Sequence, residues 1–384
     1  MLQIPLSGIK KVEEVVNGSD EYVSLSQGAL KVGGIPSPIK QHLKGLLDTS
    51  KTDSYGSCYG LLPLRQKIAD FISEKYKNCV DVSNVLVTHG AIGALNVVFT
   101  ALLDAGDEVI IPEPSYPAYN ISTMMCRAKS VFVSCLKSCT DSGKIEWELD
   151  IEKVKSATTE KTKIIVFSNP SNPIGMFIPK TTIVELLNWC QARGIYLIVD
   201  EAYRDYVFDD KFESIFTMIG KSEYLISINT FSKNMAMSGW RIGYLVAHEK
   251  LIPVFASIQD AMLNCLNNTA QYAALYALSR QDLVDELSCR VRIARDFAVK
   301  KLQPLVDKNI LSFNVPSGGF FVFAKVRDYN DTTDLCLSIL HNAKLGVVTG
   351  KSFGPSGAQF IRICFARDLD VLQEGIDRLT KFFL

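Results

Sequence analysis

The strongest constraint on this chain is an alternation of short apolar runs with helical stretches. Val85–Thr88 is a β-branched run that meets Gly90-Ala-Ile-Gly93, after which a helical pattern continues to Leu103. Asp107–Pro112, Ser130–Ser134, Lys163–Phe167, Ile195–Val199 and Tyr224–Asn229 repeat the theme, with an amphipathic stretch at Thr181–Arg193 that Gly194 ends. Runs this short, apolar throughout and separated by helices, predict a mostly parallel sheet buried on both faces. Beyond about residue 285 the pattern changes. A long helix, two strands (Phe320–Ala324 and Phe360–Phe365) and a closing helix (Asp370–Phe382) predict a second, smaller α+β domain. Residues 1–25 read as an irregular arm, and Ser26–Pro38, rich in Gly, Pro and Ser, as loop. The expected division is an arm with part of the small domain over 1–45, a large domain over 46–285 and a small C-terminal domain over 286–384.

Composition removes several function classes. Lys plus Arg is 41 and Asp plus Glu is 41, so no basic excess marks a nucleic-acid binder. No run approaches the roughly 18 apolar residues of a membrane helix. The N-terminal Met-Leu-Gln-Ile-Pro-Leu-Ser-Gly-Ile-Lys-Lys has no apolar stretch of a secretion signal. The ten cysteines are scattered, and their one close pair, Cys135 and Cys139, fits neither a redox nor a zinc spacing. They are expected to be reduced thiols in a cytoplasmic protein. The four histidines are far apart, so no metal site is expected. Gly346–Ser352 misses a phosphate loop, with three residues between its glycines where four are needed.

In open α/β sheets, ligands bind beyond the carboxyl ends of the strands. Those ends carry His89-Gly90-Ala91, Glu113–Tyr119, Ser168–Gly175, Asp200–Tyr203 and Thr230–Lys233. Lys233 is flanked by the hydroxyls of Thr230 and Ser232 and followed eight residues later by Arg241. This set suits a ligand with both an aldehyde and a phosphate. The lysine condenses with the aldehyde, while Arg241, the hydroxyls and the helix N-terminus at Gly90 hold the phosphate. Asp200 supplies an anion for a basic ring nitrogen. Pyridoxal 5′-phosphate combines these three features.

Seven motifs in register, spread over roughly residues 25 to 370, then carry a family resemblance. They are Tyr55 with Gly60-Leu-Leu-Pro-Leu-Arg65, Thr88-His-Gly-Ala-Ile-Gly-Ala94, Pro114-Ser-Tyr-Pro-Ala-Tyr119, Ser168-Asn-Pro-Ser-Asn-Pro-Ile-Gly175, Asp200-Glu-Ala-Tyr203, Thr230-Phe-Ser-Lys-Asn234 with Ser238-Gly-Trp-Arg-Ile-Gly243, and Phe360-Ile-Arg-Ile-Cys-Phe-Ala366. The chain resembles the class I/II aminotransferases, aspartate aminotransferase-like members of the fold-type I pyridoxal-phosphate enzymes. The resemblance implies a seven-stranded, mostly parallel sheet flanked by helices, with a smaller α+β domain. It implies that Lys233 is the Schiff-base lysine and proton shuttle, that Asp200 pairs with the pyridine nitrogen, and that Tyr203 and Asn172 serve the ring oxygen. Tyr116 would stack on the ring. Gly90, Ala91, Thr230, Ser232 and Arg241 would hold the phosphate, with the Ile92 backbone helping. Arg362 would grip the substrate α-carboxylate, with Asn172 beside it, and the Gly28 backbone would lie close to substrate. Tyr55 would reach the phosphate of a neighbouring subunit, which implies a homodimer with shared sites. Two departures are visible. Ile92 stands where many relatives have a hydroxyl or a lysine, and Tyr116 where some have tryptophan.

The implied reaction moves the amino group of an L-amino acid to a 2-oxo acid, 2-oxoglutarate being the expected acceptor, with an aspartate-like or broad donor range. Lys31, in the loop near the site, is the one candidate for a second cation that would read a side-chain carboxylate. A β-lyase, or a cyclising or replacing biosynthetic enzyme, would use the same Lys233, Asp200 and Arg362. A non-catalytic, cofactor-binding regulator is the reading from another class, and it would need neither a proton shuttle nor a carboxylate clamp.

Overall fold

A computed structural model describes residues 4–137, 145–208 and 211–384. Cys139 lies outside the described residues. Seven strands form the large sheet: β1 (Val85–Thr88), β2 (Glu108–Glu113), β3 (Lys129–Ser134), β4 (Thr162–Ser168), β5 (Tyr196–Asp200), β6 (Leu225–Thr230) and β7 (Gly243–Val246). Their spatial order is β1-β7-β6-β5-β4-β2-β3. All neighbours are parallel except that β7 runs antiparallel to both β1 and β6.

Successive side chains of a strand point to opposite faces, and here each face has its own core. In β4, Ile165 and Phe167 join one cluster while Ile164 and Val166 join the other. In β5, Leu197 and Val199 divide from Ile198 in the same way. Helices therefore cover both faces, the arrangement predicted from the unbroken apolar runs. The seventh strand, β7, was not visible as a separate run. Its Gly243 is required by close packing: a Cβ there would lie 2.7 Å from the Asn229 carbonyl oxygen and 2.9 Å from the Gly90 backbone.

The second layer system is a four-stranded antiparallel sheet of β8 (Leu311–Ser312), β9 (Phe321–Val326), β10 (Val348–Thr349) and β11 (Phe360–Cys364), in the order β8-β9-β11-β10. It shares a core with the closing helix Leu369–Phe383. The long helix Gln281–Asp307 joins the two cores, with Leu283 and Val284 in the first and Leu287 to Leu305 in the second. Val23–Ser24 pairs in parallel with Leu345–Gly346, which places this early segment in the smaller core.

One expectation is corrected. The first 25 residues are not an irregular arm: Gly8–Val16 is a helix, whose Ser7 side chain caps the Lys10 N–H. An N-cap hydroxyl followed by an amphipathic stretch suffices for two turns when tertiary packing supplies the rest. That packing comes from Val12 and Val16, which meet Gly346. Among the described residues no helix is long and apolar enough to cross a membrane.

Candidate active site

The carboxyl ends of β4, β5 and β6 deliver Ser168, Asp200 and Thr230 to one edge of the sheet. Asp200 is buried; its Oδ1 accepts from the Ala202 N–H at 3.0 Å and its Oδ2 from the Tyr119 hydroxyl at 2.9 Å. Burial raises its pKa to about 6, against the pull of those two donors and of Lys233. Just past β6, Thr230 caps a single helical turn that carries Lys233. Burial pushes the Lys233 ammonium down to about 8, and the charges of Arg362 and Arg241 act in the same direction. An amine poised there is partly neutral near pH 7, the form that attacks an aldehyde or accepts a proton. Its Nζ donates to the Gly28 carbonyl and lies 5.7 Å from the Tyr203 ring centroid. The Tyr203 ring also meets Phe320 and Phe321 edge-on.

A polar cradle adjoins this pair. Gly90 opens the helix that follows β1, at φ +70, and a Cβ there would stand 2.7 Å from Arg241 Nη2. Arg241 itself adopts the left-handed region at φ 54 and donates through Nη1 to the Ser238 carbonyl at 2.9 Å. The Thr230 hydroxyl donates to Ser232 Oγ at 2.9 Å and accepts from the Ser232 N–H at 3.1 Å. A helix N-terminus, a guanidinium and two hydroxyls around a side-chain-free glycine form an anion cradle. Ala91 follows in the first turn and is half-buried; Ile92 is 40% exposed. The residues present thus fit pyridoxal phosphate: an amine, a carboxylate and a phosphate cradle.

Arg362 comes from the other sheet, in β11, and is fully buried. Its guanidinium lies 4.2 Å from the Phe321 ring centroid and 4.6 Å from that of Phe353. Nη1 donates to Asn172 Oδ1 at 2.9 Å and Nη2 to the Ser26 carbonyl. Nε has no hydrogen-bond partner among the described residues. Burial lowers its pKa to about 10, since its partners are neutral oxygens. Five N–H donors with two bonds made leave capacity for a bidentate carboxylate.

The structure brings Lys233, Asp200, Tyr203, Tyr116, Arg241 and Arg362 into mutual electrostatic range. Asn172 and Gly28 join them through the bonds above. It does not bring Tyr55 to this cluster; that side chain is 85% exposed. Lys31 is exposed, with its backbone N–H bonded to the Ala366 carbonyl at 3.1 Å. Sequence reasoning missed Tyr119 as the Asp200 partner. Its spacing of three from Tyr116 at a helix start was the available signal. Phe321, Phe353 and the Ser26 carbonyl were also missed, and no local pattern marks them.

Fold and site together define a fold-type I pyridoxal-phosphate enzyme. The family description "Aminotransferase class I and II" matches residues 20–379. An aspartate aminotransferase of Thermotoga maritima is 31% identical over 377 residues, covering 97% of this chain and 93% of that protein. A probable N-acetyl-LL-diaminopimelate aminotransferase of Bacillus subtilis is 30% identical, covering 100% and 94%. The solved aspartate aminotransferase of Thermus thermophilus with maleate superposes with a TM-score of 0.88 at 26% identity, covering 98% of this chain and 97% of that one. The chain belongs to the class I and II aminotransferases. It is a pyridoxal-phosphate-dependent enzyme that exchanges an amino group between an amino acid and a 2-oxo acid. The lyase, replacement and non-catalytic alternatives are not favoured.

Proposed function

We propose that the enzyme transfers the amino group of L-aspartate, within a donor range that can be broad, to 2-oxoglutarate. The observation that carries the reading is the half-buried Lys233 amine set near the Asp200 carboxylate and the buried Arg362 guanidinium, whose Nε has no hydrogen-bond partner among the described residues. The donor follows from relatives named aspartate aminotransferase in Thermotoga maritima and Sulfolobus acidocaldarius.

Bound in the cradle, pyridoxal phosphate supplies an electron sink for the pair left at the substrate α-carbon. Lys233 would hold its aldehyde, Asp200 its ring nitrogen, Tyr203 and Asn172 its ring oxygen, and Tyr116 its ring face. Gly90, Ala91, the Ile92 N–H, Thr230, Ser232 and Arg241 would hold its phosphate. The chain's own work is then threefold. Arg362 binds the α-carboxylate and, with Asn172, fixes how the α-carbon is presented. Lys233 would shuttle the proton between that carbon and the C4′ atom of the cofactor. Asp200, kept anionic above pH 6 by the Tyr119 and Ala202 donors, holds a proton on the nitrogen it faces.

We further propose a homodimer in the cytoplasm, in which the exposed Tyr55 completes the phosphate cradle of the partner. The divisions at residues 45 and 285 are proposed as the boundaries between the arm, the large domain and the small domain. The test is a panel of L-amino acids with 2-oxoglutarate, scored by glutamate formed. Aspartate is expected among the best donors, and Lys233→Ala is expected to abolish turnover. Glutamate formation by Lys233→Ala at the normal rate would remove that residue from the mechanism. Ammonia and pyruvate without glutamate would replace the reading by elimination.

A further inference from the structure

The loop Ser24–Ala29 lies with its carbonyls turned onto cations. Arg367 donates to Ser24 O at 2.9 Å, Gln27 O at 2.6 Å and Ala29 O at 2.8 Å. Arg362 donates to Ser26 O and Lys233 to Gly28 O. The last two cations are those a substrate has to reach, so the path of this loop decides how they are presented.

The opposite side of the loop is held by Glu13, in the helix Gly8–Val16. Glu13 is 3% exposed. Its Oε1 accepts from the Ser24 hydroxyl at 2.6 Å and from the Ser26 hydroxyl. Its Oε2 has no hydrogen-bond partner among the described residues. The same helix also meets the far support of the guanidinium. A Cβ on Gly8 would lie 2.1 Å from Ser352 Oγ, and the adjoining Phe353 is the ring facing Arg362 at 4.6 Å. A carboxylate buried with one oxygen unsatisfied costs stability, and an apolar side chain would fill the space more cheaply. Stability therefore does not explain this residue.

We propose that Glu13 is a positioning residue for substrate binding: through the Ser26 hydroxyl it fixes the Ser26 carbonyl on Arg362 Nη2, and so aims the remaining guanidinium donors at the α-carboxylate. The proposal rests on the reading of Arg362 as the carboxylate clamp. With Ser26 anchored on its side chain, the peptide that follows cannot rotate its carbonyl away. Arg362 then has one acceptor on each terminal nitrogen and one orientation. Without the anchor, the guanidinium gains alternatives, and each substrate must select the competent one.

The holoenzyme is assayed as wild type, Glu13→Ala, Glu13→Gln, Ser26→Ala, the double variant Glu13→Ala/Ser26→Ala, and Arg362→Leu. KM and kcat are measured for the amino donor. The Kd of an α-methyl amino acid, which has no α-proton to lose, is measured by absorbance titration. Glu13→Ala is expected to raise KM and that Kd about tenfold while kcat stays within about twofold. Glu13→Gln keeps an oxygen acceptor for both hydroxyls and is expected to bind like wild type. The double variant is expected to be no worse than Glu13→Ala alone, since both act through one contact. If Glu13→Ala does not fold, Ser26→Ala carries the test, with the same rise in KM expected. An unchanged KM, a fall in kcat at constant KM, or additive losses in the double variant would each overturn the proposal. If Arg362→Leu raises KM and Glu13→Ala does not, the positioning role alone falls; if Arg362→Leu leaves KM unchanged, the clamp reading falls with it.

Discussion

Two buried arginines show how this molecule treats charge in opposite ways. Arg204, just past β5, donates to Asn229 Oδ1 and to the Tyr244 hydroxyl at 3.1 Å, and its Nε stands 3.7 Å from Asp205 Oδ1. The phenol of Tyr244 and the carboxylates of Asp205 and Glu201 raise its pKa against the burial that would lower it. Arg362, fully buried, has two neutral oxygens and two aromatic faces, and its pKa falls. A cation removed from water without an anion is a standing cost of several kcal/mol. Arg204 meets that cost inside the chain. Arg362 leaves it open, with no anion beside it and its Nε without a partner among the described residues, which is what the proposed carboxylate role requires.

The comparison can be broken first by truncation. Arg204→Leu strands Asp205 and the buried Glu201, so a loss of about 3–5 kcal/mol in unfolding free energy is expected. Arg362→Leu removes an unpaired charge, so its melting temperature should stay near or above that of wild type. Its cost should appear instead as a KM raised roughly 100-fold, about 2.7 kcal/mol, with cofactor affinity little changed. Equal destabilisation by both variants would erase the distinction.

A smaller effect sharpens it. A dicarboxylate inhibitor at about 100 times its Kd should stabilise the wild-type holoenzyme by about 2.7 kcal/mol. Arg362→Leu should lose most of that gain in a thermal-shift titration, whereas the gain should survive in Arg204→Lys. The smallest effect concerns the anion rather than the cations. The Asp200 pKa, lifted to about 6 by burial, is held down in part by the Tyr119 hydroxyl. Tyr119→Phe deletes that donor, so the pKa should rise further. Because the folded value already exceeds that of an unfolded Asp, stability from this group is greatest at low pH and declines as pH rises from about 4 through 6. The variant should extend that decline to higher pH, and the acid limb of kcat should move the same way. An unmoved acid limb would separate Tyr119 from Asp200 in function.

Much of the candidate site was legible because strand ends are legible. Asp200, Thr230 and Lys233 follow apolar runs whose length and patterning identify them as strands, and ligands gather at such ends in open α/β sheets. The helix start at Gly90 was readable for the same reason. The helix Gly8–Val16 was not, because two turns have little stability of their own and depend on Gly346, more than 300 residues away in sequence. β7 was hidden because a short strand lodged between β1 and β6 needs only glycine and a few apolar residues. Tyr119 was in view within its motif, but nothing local pairs it with Asp200.

What the sequence determined by itself is the fold class, most of the alternation of strands and helices, and the residue types gathered at the strand ends. Periodicity and side-chain chemistry are local properties, and they survive in a linear reading. The tertiary structure alone decided which of those groups are buried and what faces them. It set Arg362 among neutral oxygens and Arg204 beside Asp205, turned the Ser24–Ala29 carbonyls onto three cations, and lowered Lys233 toward neutrality. The free energy of a charge depends on the solvent it has lost and the dipoles that replace it, and both are supplied by residues distant in sequence.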